Sequence, residues 1–425
     1  MPVIGLARSI LRKRSSDCAL DLGGTVRATN VDDTLAKARS VLQAVGVTRV
    51  ANVTGLDHVG VPTWIAVRPL AWSLTVSQGK GLTDALAQAS AIMESIEVHH
   101  AERFTPRGHR RSLRDAAADD RYVNPLLLPV RPHARIAAGV AAEWIEGEEL
   151  CSGGSRWLPR DCIDLDSTTR RRDPRIFVGS SSGLASGNTR AEALLHGVCE
   201  VIERDQTSFW YVRKQFVAGA ECGRLRLDSV SDEHCRWLLG RCRDAGLQVA
   251  AWYLTQDIVV PSFMCTVFDS HSNTFYPQRA SGFGCHPYRH IALSRAITEA
   301  LQSRLTFIAG GRDDVYWSEY RDAMRVDNTS GKAWIDDLDA EQDIACFDDI
   351  PQAPACATID DLLVWVTTVL SEAGFAEIIV VDLEQEEVGI PVVHVTVPGL
   401  EGFICKAGYT PGPRMQSFLK GRLPA

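Results

Sequence analysis

A chain of 425 residues is long enough to bury a large core or to divide into two or three lobes. Its 45% hydrophobic and 23% charged residues are an ordinary globular composition, and a formal net charge of −8 argues against nucleic acid as main partner, since neutralising phosphates takes a basic excess. No run of about 18 apolar residues occurs, so no segment is predicted to span a membrane.

The opening "MPVIGLARSILRKRSS" runs apolar then basic, the reverse of a secretory signal, and residues 1–20 read as an N-terminal extension. Val- and Ile-rich segments bounded by Gly, Pro or Asp predict strands at 49–56 and 63–70, and apolar spacing predicts a helix over 83–103. The polar, Pro-containing stretch 105–175 reads as an insertion or lid. Its basic runs at 107–114 and 170–175 read as solvated surface, with contact to an acidic peptide or partner as the alternative. A helix follows at 190–213, strands at 247–255 and 262–270, a helix at 289–308, an acidic irregular stretch at 312–357, a helix at 360–373, and strands at 376–383 and 391–400. Residues 21–410 form one intertwined mixed α/β (α+β) domain without a clean linker, and 411–425 form a C-terminal tail. The twelve cysteines show no CxxC or zinc-ligand spacing, and Cys199, Cys265 and Cys405 sit in apolar patterns. Reduced core thiols in a cytoplasmic protein are expected.

Three segments place a Gly-rich turn before a helix: "SQGKGLTDALAQASAIMESIE" (77–97), "SSGLASGNTRAEALLHGVCEVIER" (181–204) and "ASGFGCHPYRHIALSRAITEALQSR" (280–304). Aligned on the helices, Glu94 matches Glu200 and Glu299, while Glu97 matches Glu203 and Gln302. The spacings of 106 and 99 residues are too long for a solenoid and point to a duplicated strand–loop–helix unit whose copies converge on one place.

Glu94 and Glu97, like Glu200 and Glu203, are neighbours on a helix surface, and Glu192 joins the second pair two turns earlier. Carboxylates flanked by Ile92, Ile96, Val201 and Ile202 repel one another unless a cation neutralises them. Mg²⁺ takes oxygen ligands, and a Gly-rich turn opening a helix suits an anion, so the combination points to a nucleotide triphosphate with magnesium. Lys80, Arg204 and Arg304 are candidate phosphate contacts. "GKGLT" lacks the spacing of a P-loop. A single ExxE is most often a solvated face; the repetition behind glycines is what favours metal. His58, His99 and His394 have no partner at ligand spacing and read as structural, and no GxSxG or HExxH motif is present.

"SSGLASGNTRAEALLHGVCEVIERD" closely resembles the signature of the YcaO family, "SAIMESIE" (90–97) its SxxxExxE element and "EALQSR" (299–304) its third motif, with the likeness running from about residue 20 to 410. The resemblance implies an enzyme using ATP and Mg²⁺ to phosphorylate the oxygen of a peptide backbone amide after a nucleophile adds. It implies Glu97, Glu192, Glu200 and Glu203 as Mg²⁺ ligands, Glu94 as a further candidate, and Lys80, Ser90, Asn188, Arg204, Gln302 and Arg304 as nucleotide contacts. Val98 stands where the family's first element carries Arg; Arg103 or Arg27 is the substitute in view.

Residues 24–69 are similar to YcaO proteins that work with a TfuA partner, a group associated with turning an amide into a thioamide from sulfide or a sulfur carrier. Azoline-forming cyclodehydratases of the family often end in a proline-rich tail, whereas this chain ends "QSFLKGRLPA". Thioamidation of a ribosomally made peptide or a protein is therefore the leading expectation. An azoline-forming cyclodehydratase and a non-catalytic ATP-binding assembly module are the alternatives. Few residues precede position 20, so substrate capture is expected from a separate recognition protein or from 105–175, and a homodimer is a family-level expectation.

Overall fold

Side-chain caps written in the sequence set several helix starts in this chain, whose computed structural model describes residues 17–132, 134, 139–168, 175–216, 223–269, 278–318, 320, 345–402 and 410–421. Asn30, Asp232 and Thr358 each accept a hydrogen bond from the main-chain N–H three residues on, and Thr358 completes a capping box with Asp361.

In chain order the first elements are β1 (Leu20–Asp21), β2 (Val26–Arg27), α1 (Val31–Ser40), β3 (Arg49–Asn52), β4 (Thr63–Val67), β5 (Val76–Lys80) and α2 (Asp84–Arg103). Next come β6 (Gly108–Ser112), α3 (Leu113–Ala117), β7 (Ala141–Glu149), β8 (Ser155–Pro159), β9 (Leu184–Ser186) and α4 (Arg190–Phe216). They are followed by α5 (Glu233–Asp244), β10 (Gln248–Tyr253), β11 (Ser262–Phe268), β12 (Arg279–Cys285) and α6 (Arg289–Ala309). The last are α7 (Ile359–Glu372), β13 (Ile379–Asp382), β14 (Val392–Thr396) and α8 (Pro413–Lys420). Two compact units share these elements: unit 1 takes Met1–Ala19, Ile96–Ala220 and Ala355–Ala425, and unit 2 takes Leu20–Ser95 and Glu221–Pro354.

Unit 2 holds two antiparallel three-stranded sheets, β3-β4-β5 and β10-β11-β12, and the small β1–β2 pair. Its core joins Leu238, Phe263, Ile297 and Leu301, all essentially inaccessible, so α5 and α6 bury their apolar faces on the β10–β12 sheet. The strands ahead of α2 and α6 meet those helices backbone to backbone. A Cβ on Gly79 would lie 2.1 Å from Ala87 O and Ala91 N, and one on Gly284 2.1 Å from Ala292 O and 2.7 Å from Ala296 N. Only glycine permits such an approach.

Unit 1 is built on the antiparallel order β6-β7-β13-β14-β9, with β8 also paired to β7. Strands β6, β7 and β8 come from the stretch read from sequence as an insertion or lid. Helix α4 packs on β14, β9 and α7. Its buried side carries Glu192, Glu203 and Asp205 among apolar neighbours. Arg414 Nη1 of α8 donates to both carboxylate oxygens of Asp205, at 2.5 and 2.6 Å, and Glu401 accepts from Gly412 N and Met415 N, each at 3.0 Å. The last helix is thereby fixed to α4.

The mixed α/β class expected from sequence is what the chain adopts, with every pair of named strands antiparallel. The four long helices and six strands fall where periodicity puts them. What differs is the Gly-rich stretches before the helices: they are largely strands, β5, β9 and β12, rather than turns. Cys199 and Cys265 are free and buried. Residues 1–16, the run 170–174, Cys405 and most of 312–357 lie outside the described residues. No described helix is long and apolar enough to cross a membrane.

Candidate functional site

In unit 2 the acidic anchors of α2 and α6 occupy equivalent places. Glu94 receives a hydrogen bond from the Gln78 main chain, and Glu299 accepts one from Phe283 N at 3.3 Å, so each helix acid is tied to the strand in front of it. Lys80, at the end of β5, donates to Glu299 Oε2 at 2.7 Å, with both side chains about three-quarters buried. Burial pushes the Glu94 carboxyl up to about 7 against the opposing pull of Lys80 and Arg312, while Glu299 pushes the same way as burial. Gln302, one turn beyond Glu299, donates through Nε2 to Gln78 Oε1 at 3.5 Å, and Thr306 donates to that same oxygen. The structure thus brings Lys80, Glu94, Gln302 and Glu299, the repeat's third acidic anchor, into one neighbourhood with the unforeseen Gln78 and Arg312. Nothing in the sequence marked Arg312, whose guanidinium also forks onto Asp314 at 2.8 and 2.6 Å.

Unit 1 assembles the other carboxylates along α4. Glu97 accepts from both the main chain and the hydroxyl of Ser186, at 2.8 and 2.7 Å, which joins the α2 acid to the end of β9. Asn188 Nδ2 reaches both oxygens of Glu192 at 3.3 and 3.2 Å, and Thr189 caps the helix by accepting from Glu192 N at 3.3 Å. Glu192, in the first turn, sits where the helix dipole favours negative charge. Arg204 reaches back one turn to Glu200 at 3.4 Å, and Glu203 is only 5% exposed.

Two candidates remain. Ser90 is half-buried on α2 one turn before Glu94. Arg304 is 2% exposed and engaged by Asp57 at 3.2 Å and Asp269 at 3.0 Å, so its guanidinium is committed to two aspartates. His58 Nε2 meets Ala245 O at 3.0 Å, His99 is buried, and burial pushes the buried His394 down to about 4.

Among the described residues no three His, Cys, Asp or Glu side chains form a ready-made metal cage. The donor chemistry nevertheless fits a hard divalent cation held together with a ligand's own oxygens. Gln302 Oε1 is buried with no hydrogen-bond partner among the described residues, and Glu94, tied like Gln302 to Gln78, is a carboxylate whose charged form burial disfavours.

A model of the YcaO family, described as a cyclodehydratase binding ATP and Mg²⁺, matches residues 78–401. An uncharacterized protein of Mycobacterium tuberculosis is 35% identical over 378 residues, which are 89% of this chain and 83% of the relative. An uncharacterized protein in the tfuA 3′ region of Rhizobium leguminosarum bv. trifolii is 33% identical over 385 residues, 88% of each chain. Among solved structures, a heterocyclase in complex with substrate and cofactor superposes on the whole chain with a TM-score of 0.77 at 23% identity, and this chain spans 59% of its length. The Methanopyrus kandleri YcaO bound with AMPPCP and Mg²⁺ matches 93% of this chain and 98% of its own, with a TM-score of 0.71 at 21% identity.

Proposed function

The chain belongs to the YcaO family of ATP- and Mg²⁺-dependent peptide-modifying enzymes, and on that premise we propose that it converts a backbone amide of a ribosomally made peptide or a protein into a thioamide, with a TfuA-like partner delivering sulfur. The observation that carries the choice of product is the likeness, at 33% identity over 88% of both chains, to the protein of the tfuA 3′ region. ATP supplies the phosphoryl group that lets the amide oxygen leave as phosphate, and Mg²⁺ neutralises the charge on the phosphates.

In this reading Glu97, Glu192, Glu200 and Glu203 hold metal, with Glu94 as a further ligand. Lys80, Ser90, Asn188, Arg204 and Gln302 orient the nucleotide. The Lys80 ammonium is already held in place by Glu299 at 2.7 Å, so it meets a phosphate without first being ordered. Ser186 fixes the Glu97 carboxylate with two hydrogen bonds. Arg304, the remaining nucleotide-contact candidate, also ties α6 to Asp57 and Asp269. Residues 21–410 act as one catalytic domain, and peptide recognition is shared with a separate protein.

The fold likeness to a heterocyclase, at a TM-score of 0.77, favours a second reading in which a Cys, Ser or Thr side chain is the nucleophile and an azoline forms. Phosphate release separates the two. Thioamidation requires peptide, Mg²⁺ and a sulfur source together, and Glu203→Gln abolishes it. Release with peptide alone, accompanied by loss of water at Cys, Ser or Thr, supports the azoline reading instead.

A further inference from the structure

Strand β10 is an edge of the β10-β11-β12 sheet. Its far half is covered: Leu225 N donates to Ala251 O and Tyr253 N to Gly223 O, each at 2.8 Å, about a bridge between Arg224 and Trp252. Gly223 makes this possible, with φ at +70° and a Cβ position only 2.3 Å from Tyr253 O. After Leu225 the segment leaves β10 to follow Ala345. Because Ala251 O and Tyr253 N face outward, strand alternation turns the Val249 main chain to the same edge. Among the described residues no main-chain group bonds to Val249 on that side.

A cavity of about 260 Å³ opens there, with Val249 and Ala250 on one wall and residues 224–228 on the other. A second of about 740 Å³ shares Leu227 and Asp228 with it and runs along α5 to Trp237, which is 44% exposed. Arg224, Arg226, Arg236 and Arg243 line the two against Asp228 and Glu233, a local basic excess on a chain of net charge −8. Arg226 is engaged first by the Cys346 side chain and then by the charges of Asp228 and Asp349, so the exposed Arg236 and Arg243 of α5 are the cations to test.

We propose that this groove docks an extended, carboxylate-bearing segment of the peptide that the enzyme modifies, by adding a strand to the edge at Val249 and pairing its acids with the α5 arginines. An open edge supplies main-chain hydrogen bonds, and guanidinium groups supply charge-assisted bonds to carboxylates. Trp237 offers a face for an apolar side chain between them. The inference rests on the family's action on peptides and is independent of which product forms.

The test is fluorescence anisotropy with the full chain and no ATP, using a fluorescein-labelled peptide alternating Glu with Val and a counterpart with Lys for Glu. The Glu peptide is expected to bind and the Lys peptide not to. Arg236→Glu with Arg243→Glu should weaken binding at least about tenfold. Val249→Pro deletes the outward N–H, at the cost of a side chain packed on the unit 2 core, and should weaken it as well. Both variants should keep basal ATP hydrolysis; if Val249→Pro fails to fold, the arginine pair decides. Binding indifferent to the arginine reversal, equal binding of both peptides, or equal binding of a single-stranded RNA of the same charge overturns the proposal. So does sedimentation showing that two copies bury this face. Because no ATP or sulfur is present, a failure here is distinct from a failure of the thioamide reading.

Discussion

Gly284→Ala probes the contact that sets the unit 2 acids. The new Cβ would lie 2.1 Å from Ala292 O and 2.7 Å from Ala296 N, whereas ordinary contact begins at 3.4 Å. Both neighbours are main-chain atoms of α6 and cannot rotate aside, so strand and helix must part by more than about 1 Å in a packed interior. Helix α6 carries Glu299 and Gln302, so the displacement falls on the 2.7 Å pair with Lys80 and on the Gln302–Gln78 contact. Overpacking of this kind costs about 1–3 kcal/mol, and a misplacement of about 1 Å can cost on the order of 100-fold in rate. Urea unfolding reads the first and peptide-dependent phosphate release the second. Gly240→Ala is the control: it lies inside α5 with nothing within 4 Å of a new Cβ. There the helix should gain about 0.5–1 kcal/mol. A Gly284→Ala protein as stable and as fast as wild type would refute the close-packing reasoning.

Lys80→Met strips a partner from Glu299 and a neutralising charge from Glu94. With the pair only partly buried the stability loss should stay near 1 kcal/mol, while calorimetric affinity for Mg²⁺-ATP should fall about tenfold and Lys80→Arg recover part of it. Arg414→Met leaves the fully buried Asp205 without its guanidinium partner, and urea unfolding should show a loss of about 3 kcal/mol. Unchanged stability would mean α8 does not hold α4. The buried His394 gives a pH signature: with its pKa lowered from 6.5 to about 4, the unfolded chain binds more protons between those values. Its contribution is therefore complete above about pH 6.5 and fades as pH falls toward 4, costing about 2 kcal/mol between pH 7 and pH 5. His394→Asn should flatten that slope in denaturant titrations, and an unchanged slope would assign it to other groups.

The long helices were legible because their apolar spacing is sustained over several turns, and the strands because β-branched residues cluster between breakers. Strands β5, β9 and β12 were not, because "SQGK" and "ASGFGC" carry the small and glycine residues of turns. The clue lay on the helix side. Ala87 and Ala91 precede Glu94, Ala193 and Gly197 precede Glu200, and Ala292 and Ala296 precede Glu299, each by seven and three positions. Small residues at that spacing are what a helix needs to lie directly on a strand backbone. The acidic anchors were legible from the repeat, but their partners were not: Lys80 finds Glu299 across 219 residues, Ser186 finds Glu97 across 89, and Asp57 finds Arg304 across 247. Such pairings follow from the fold, and single-sequence periodicity carries no trace of them. Arg304, grouped with phosphate contacts because it follows an acidic anchor, holds two aspartates that periodicity gave no sign of.

The most direct measurement of the central claim is the intact mass of a candidate precursor peptide co-expressed with this enzyme and a TfuA-like protein, with tandem fragmentation to locate the change. A gain equal to the exchange of oxygen for sulfur at a backbone amide, absent without the TfuA-like protein and absent in Glu203→Gln, is the expected result. Loss of one water, mapped to a Cys, Ser or Thr and independent of the TfuA-like protein, would contradict it.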